Sequence, residues 1–166
     1  MKKNTLVTWL AVAAIPVIAI LLIVFGSRET DVEETLAPGG GMISLESSFW
    51  DFGSISMAQG IVTHEFKVEN NTGAPAVISR ISTSCMCTTA SLLIGDRSFG
   101  PYGMPGHGYS RALNQTLHPG ESAILSIAFD PAAHGPAGVG PVERTVFLET
   151  DSGEAVTVEF KAMVKP

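Results

Sequence analysis

The sequence predicts an all-β domain behind one N-terminal transmembrane helix, and three observations predict it. The stretch 6–25 is apolar and uncharged, the chain beyond 42 alternates apolar with polar residues, and clusters of Gly, Pro, Asn and Asp cut that alternation into short runs.

Lys2 and Lys3 precede the run Leu6 to Phe25. At about 1.5 Å per residue, a helix of that length spans roughly 30 Å of hydrocarbon. A cleavable signal peptide has an apolar run of only about 7 to 15 residues, closed by a small-x-small site. Val24-Phe25-Gly26-Ser27-Arg28 puts bulky residues at that point, so an uncleaved anchor is expected over 6–25. Pro16 is tolerable there, because a membrane helix re-satisfies the freed carbonyl through neighbours and local adjustment. Orientation follows the Lys/Arg bias, and Lys2 and Lys3 outnumber Arg28. Residues 1–5 are then cytoplasmic, and the C-terminal domain is periplasmic or extracellular. Residues 26–41, charged at first and ending in Pro38-Gly39-Gly40-Gly41, read as a flexible acidic and glycine-rich linker. Residues 42–166 remain as one domain, of a size that buries about two-thirds of its unfolded surface.

Within that domain the strands follow in order. Ile43 to Leu45 is a weak first strand. Val62, His64, Phe66 and Val68 share one face of the next, which stops at Asn70-Asn71-Thr72-Gly73, a turn whose Asn and Gly accept positive φ. Ala76 to Ile81 and a weaker run from Thr88 to Leu92 flank the cysteines. Ala123, Leu125, Ile127 and Phe129 alternate after the turn at Pro119-Gly120. Val146 and Leu148 supply another strand, and Val156, Val158 and Phe160 the last, after Asp151-Ser152-Gly153. About seven short antiparallel strands is the count of an Ig-like β-sandwich. Between them, residues 95–116 read as a long loop holding Gly95, Gly100, Gly103, Gly106 and Gly108. Loops beyond about 12 to 15 residues are uncommon unless functional or disordered.

The formal net charge is −6 with Lys2 and Lys3 included. So acidic a body lacks the basic clusters that nucleic acid and anionic lipid surfaces require, and neither is an expected ligand. Enzymatic sets are missing as well. No serine lies in a nucleophile elbow, no Gly-rich phosphate loop follows a strand, and carboxylates such as Glu65, Glu69 and Glu159 stand singly on outward strand positions. A cysteine nucleophile needs a cation beside it. Arg80, the nearest in sequence, lies five residues before Cys85 along an extended strand. No enzyme is therefore expected, apart from what the thiols can do by redox exchange.

The chain has only two cysteines, Cys85 and Cys87, separated by Met86. In an extended segment both face the same way, with Cα atoms roughly 6.5 to 7 Å apart, at the limit for a relaxed disulfide. Extended, the pair favours free thiols or a shared ion; bent, it can close a strained and easily exchanged disulfide. Three roles stand open: metal ligands, a redox-active or oxidised pair, and inert buried thiols. The C-x₂₋₄-C spacing of zinc modules is absent. Copper as Cu(I), which prefers thiolate and thioether, suits the inventory better, with Met104 and His107 of the 95–116 segment as candidate supplements. His64 on its apolar strand face is expected to be structural, and His118 and His134 read as surface residues of loops.

Phe49-Trp50-Asp51-Phe52-Gly53, His64-Glu65-Phe66-Lys67-Val68-Glu69-Asn70, Ser84-Cys85-Met86-Cys87-Thr88 and Pro119-Gly120-Glu121, in that order, resemble the signatures of the bacterial domain-of-unknown-function fifteen-seventy-three family. The resemblance implies an Ig-like, Hydin-type sandwich that is exported or membrane-anchored, and it implies no activity. That family usually has Gly between its cysteines. Met86 departs from this pattern, so a turn needing positive φ there would be costly. In a bacterial chain Asn70-Asn71-Thr72 and Asn114-Gln115-Thr116, which match glycosylation sequons, are expected to be turn residues. The first functional expectation is a membrane-anchored extracytoplasmic module with a protein-binding or structural role in the envelope. The alternative is a soft-metal or thiol-redox protein using Cys85 and Cys87.

Overall fold

A computed structural model describes residues 43–107 and 111–166. The anchor expected over 6–25, its flank 1–5 and the linker 26–41 lie outside the described residues. Among the described residues no helix is long and apolar enough to cross a membrane.

Among the described residues, ten strands form two five-stranded sheets packed as a sandwich. They are β1 (Ser44–Leu45), β2 (Phe49–Ser56), β3 (Val62–Glu69), β4 (Ala76–Thr83), β5 (Thr88–Ile94), β6 (Arg97–Tyr102), β7 (Ala112–Leu117), β8 (Ser122–Phe129), β9 (Gly140–Thr150) and β10 (Ala155–Lys165). One sheet has the order β1-β3-β8-β5-β6 and the other β2-β10-β9-β4-β7. All pairings are antiparallel except that of β2 with β10.

The all-β expectation holds, and its strand count falls short in an orderly way. Every inner strand, β3, β5 and β8 in one sheet and β4, β9 and β10 in the other, lies where alternation predicts one. Three of the four outer strands, β2, β6 and β7, were not expected. An outer strand has only one neighbour and buries less, so its sequence carries little alternation. β2 illustrates this, with one buried position, Ile55. β6 is disguised by Gly100-Pro101, two residues that disfavour strands. Gly100 is required: its φ is +122°, and a Cβ there would meet Ser91 Oγ at 2.9 Å.

The expected loop over 95–116 is therefore corrected. It carries β6 on the edge of one sheet and most of β7 on the edge of the other. Asn114 lies within β7, so the second sequon is not a turn. Nor does the turn after β3 use positive φ at Asn70, Asn71 or Gly73. Asn70 acts there through its side chain.

The core lies between the sheets and is filled by the inward positions of the inner strands. β8 is the clearest case, with every second residue from Ala123 to Phe129 buried. Phe129 and Phe160 meet with ring centroids 5.2 Å apart. Burial of a side chain of that kind stabilises the fold by roughly 1.5 to 3 kcal/mol. Along the open side, between β2 and β3, Trp50 stacks on His64 at 3.7 Å, and Phe52 and Phe66 meet the same imidazole edge-on. His64 is thus a structural ring, and burial holds its pKa below the ordinary value.

Candidate functional site

The cysteines sit at the end of the sandwich where β4 gives way to β5. β4 belongs to one sheet and β5 to the other, so the connection must cross the gap between them within four residues, Ser84 to Cys87. It does so by a turn in which Thr88 N donates to Cys85 O at 3.2 Å. The backbone through Met86 is therefore bent. Met86 needs no positive φ, since Asn114 is the one non-glycine residue so placed among the described residues. Its side chain is 54% exposed at the tip of the turn.

Neighbouring elements hold this turn from three sides. Ser84 N donates to Thr145 O of β9 at 2.9 Å, and Thr145 N returns a bond to Ser84 Oγ at 3.0 Å. Asp130 N, just past β8, donates to Cys87 O at 2.9 Å. Thr83 Oγ1, buried beneath the turn, lies 3.0 Å from Cys85 O and 3.1 Å from Thr88 O. Cys87 N also points at Cys85 Sγ, 3.4 Å away.

Two side chains distant in sequence complete the site. His134, in the loop between β8 and β9, places Nε2 3.2 Å from Cys85 Sγ, although the residues are 49 apart in sequence. Gly138 passes so near that a Cβ on it would meet His134 Cβ at 3.2 Å. Arg144 of β9 donates from Nε to Cys87 Sγ at 3.3 Å across a separation of 57 residues, and from Nη1 to Glu143 O at 2.7 Å. The two sulfurs and the His134 nitrogen all lie within 4.8 Å of one another.

The two thiols differ. Cys87 is 3% exposed, whereas Cys85 is half-buried, and both are free. Burial alone would push the Cys85 thiol up. Hydrogen bonds from the Cys87 side chain and backbone, the His134 contact and the Arg144 charge outweigh it and bring the thiol down from 9.0 to about 7. Burial, together with the hydrogen bond to Cys85, pushes Cys87 up against the opposing bonds from Arg144 and Thr88. The result is an accessible sulfur easily ionised beside a buried one that is not.

Met104 and His107 occupy the turn after β6, where His107 N donates to Met104 O at 3.1 Å. Met104 is half-buried and His107 exposed, and His107 is not part of the sulfur–imidazole cluster. The histidine brought to the cysteines is His134, read from sequence as a surface residue. Arg80 is engaged elsewhere, 3.7 Å from Glu149. The cation that faces the thiols is Arg144, and one sequence signal pointed to it. Arg144 falls in phase with Val142, Val146 and Leu148, a charge on an otherwise inward apolar face of β9.

The cysteine turn lies within the part of the chain that matches a known family. Residues 43–94 match the model of the family described as Protein of unknown function (DUF1573). The DUF1573 match runs from β1 through β5, so it takes in Cys85 and Cys87 and ends before His134 and Arg144. No curated protein matches the chain. Among solved structures, a protein of unknown function from Porphyromonas gingivalis W83 is similar at TM-score 0.54 and 18% identity, over 74% of this chain and 46% of that one. This chain thus spans about half the length of that protein. The VesB protease of Vibrio cholerae is similar at TM-score 0.50 and 16% identity, over 77% of this chain and 33% of the protease. At such identities the likeness is one of fold alone.

Proposed function

We propose that this chain is a membrane-tethered, extracytoplasmic Ig-like module whose Cys85–Cys87 pair exchanges disulfides with cysteines of another envelope protein. The observation that carries this reading is the bent backbone at Met86, which sets an accessible thiol facing His134 beside a buried thiol facing Arg144. The apolar stretch 6–25 behind Lys2 and Lys3 supports the tether and the placement outside the cytoplasm, where disulfides persist.

In the exchange, the Cys85 thiolate attacks one sulfur of a partner disulfide. A mixed disulfide forms on Cys85, and the partner's other sulfur leaves as a thiolate. Cys87 then loses its proton, a step that the Arg144 guanidinium favours, and attacks Cys85 Sγ. The Cys85–Cys87 disulfide forms and the partner's second sulfur is released as thiolate. Two electrons have passed from this chain to the partner, and the reverse sequence oxidises a partner dithiol. A disulfide spanning a single residue is strained and therefore readily exchanged.

The test equilibrates the full chain with glutathione redox buffers and follows alkylation by mass. A reversible two-thiol to disulfide transition is expected, with Cys87→Ser trapping glutathione on Cys85 and Cys85→Ser trapping none. Thiols that stay alkylatable in oxidised glutathione, or equal trapping by both variants, overturn the reading.

A second reading, a module that docks an envelope partner along a sandwich edge, is supported by outer strand β2, where Phe49 is 46% and Trp50 40% exposed. Under it, partner binding survives Cys85→Ser with Cys87→Ser.

A further inference from the structure

We infer that the reduced Cys85–Cys87 turn, together with His134, is a binding site for a single monovalent soft metal ion, Cu(I). The inference shares its cysteines with the exchange reading but stands on separate observations.

The first observation is convergence. Metal–sulfur and metal–nitrogen bonds of about 2.0 to 2.3 Å place the ligand atoms of a three-coordinate ion roughly 3.5 to 4 Å apart. Cys85 Sγ and His134 Nε2 stand at 3.2 Å, and both lie within 4.8 Å of Cys87 Sγ, so side-chain rotation alone brings three donors to one centre. The three come from two connections, β4 to β5 and β8 to β9, which the Asp130 N to Cys87 O bond at 2.9 Å ties together.

The second is donor chemistry. Two thiolates and an imidazole form a soft set that favours copper over magnesium or calcium. Structural zinc takes four protein ligands, and the cluster of His, Cys, Asp and Glu donors among the described residues has three, so zinc there would need a water as its fourth ligand. Cu(I) is satisfied by two or three soft donors.

The third is charge. Arg144 points inward between the sheets with its Nε on Cys87 Sγ. Ion pairs among the described residues join Lys67 to Glu69, Arg80 to Glu149 and Lys161 to Asp51, and none involves Arg144. The group that this guanidinium faces is therefore sulfur, which carries a negative charge once it binds an ion as thiolate. Cu(I) held by two thiolates and a neutral imidazole carries one net negative charge, which Arg144 balances. A divalent ion in the same ligands is already neutral and would leave the half-buried Arg144 charge unbalanced, a costly arrangement. Arg144 thus acts as a selectivity residue and not as a ligand.

The decisive experiment titrates the reduced full chain anaerobically with Cu(I) against a chromophoric Cu(I) chelator, with Zn(II) as competitor. Retention of one Cu(I) per chain is expected, lost in Cys85→Ser and in Cys87→Ser. Since Cys87→Ser perturbs a buried position, the exposed His134→Ala provides a control that leaves the core intact. It should weaken retention by about tenfold or more, and Arg144→Gln should shift the Cu(I)-to-Zn(II) preference by about tenfold toward zinc. Copper left wholly with the chelator, binding indifferent to His134→Ala, or displacement by equimolar Zn(II) overturns the inference. A chain that exchanges disulfides in glutathione yet leaves all Cu(I) with the chelator fails here alone, and one that holds Cu(I) without forming the disulfide fails only the exchange reading.

Discussion

The two ends of the sandwich solve the same topological task, carrying strands from sheet to sheet, with opposite chemistry. Where β3 and β7 finish, the connections are tied by hard polar groups. Asn70, wholly buried, donates from Nδ2 to Ala74 O at 2.9 Å and to Leu117 O at 2.8 Å, and its Oδ1 accepts from Thr72 N at 3.0 Å. Its backbone bonds Glu121 O and Gly120 N. Every donor and acceptor there has a partner of similar hardness. Where β4 and β8 finish, the backbone is equally well tied, but the side chains facing one another are two sulfurs, an imidazole and a guanidinium without a carboxylate. Hard networks fix a fold. Polarisable, titratable groups held in a rigid frame remain free to react, and that contrast supports the proposal of thiol chemistry at the cysteine end.

Three perturbations sharpen the contrast. The largest belongs to the polar end: Asn70→Ala strands several buried partners and should lower stability by roughly 3 kcal/mol in urea denaturation. The native fraction should alkylate at Cys85 at its usual rate, and a changed rate would mean that the two ends are coupled.

Next in size is the pH profile of the cysteine end. With Cys85 lowered to about 7, its alkylation should rise about tenfold per pH unit below that value and flatten above it, whereas an ordinary thiol climbs on toward 9.0. Lowering the pH removes the thiolate, so the contrast with an ordinary thiol is greatest near neutrality. Arg144→Gln removes a charge facing both sulfurs, with His134 left in place, and should move the plateau upward by up to about one unit. A profile unmoved by Arg144→Gln would assign the lowering to His134 and Cys87 alone.

The smallest effect is expected along the open side, between β2 and β3. Trp50→Ala loses the stack on His64 at the open side and should cost about 1 kcal/mol, leaving both the Asn70 network and Cys85 reactivity unchanged.

Inner strands were legible because each is paired on both sides and buries one face, which imprints alternation such as Ala123, Leu125, Ile127 and Phe129. Outer strands such as β6, with Gly100 and Pro101, carry no such imprint, and the segment 95–116 therefore looked like a loop. The cysteine pair was legible as a chemical possibility but not as a geometry, because an extended and a bent Met86 are written with the same letters. Arg144 was half legible, a charge in phase with Val142 and Val146, but its target was not.

By itself the sequence determined the all-β class, the six inner strands and the presence of two thiols one residue apart, since all of these follow from local periodicity and spacing. Only the tertiary structure decided that the turn bends, that Cys85 is accessible and Cys87 buried, and that His134 and Arg144 are the groups facing them. The reason is physical. Those contacts join residues 49 and 57 positions apart, and no local pattern encodes which loops two packed sheets will bring to the same end.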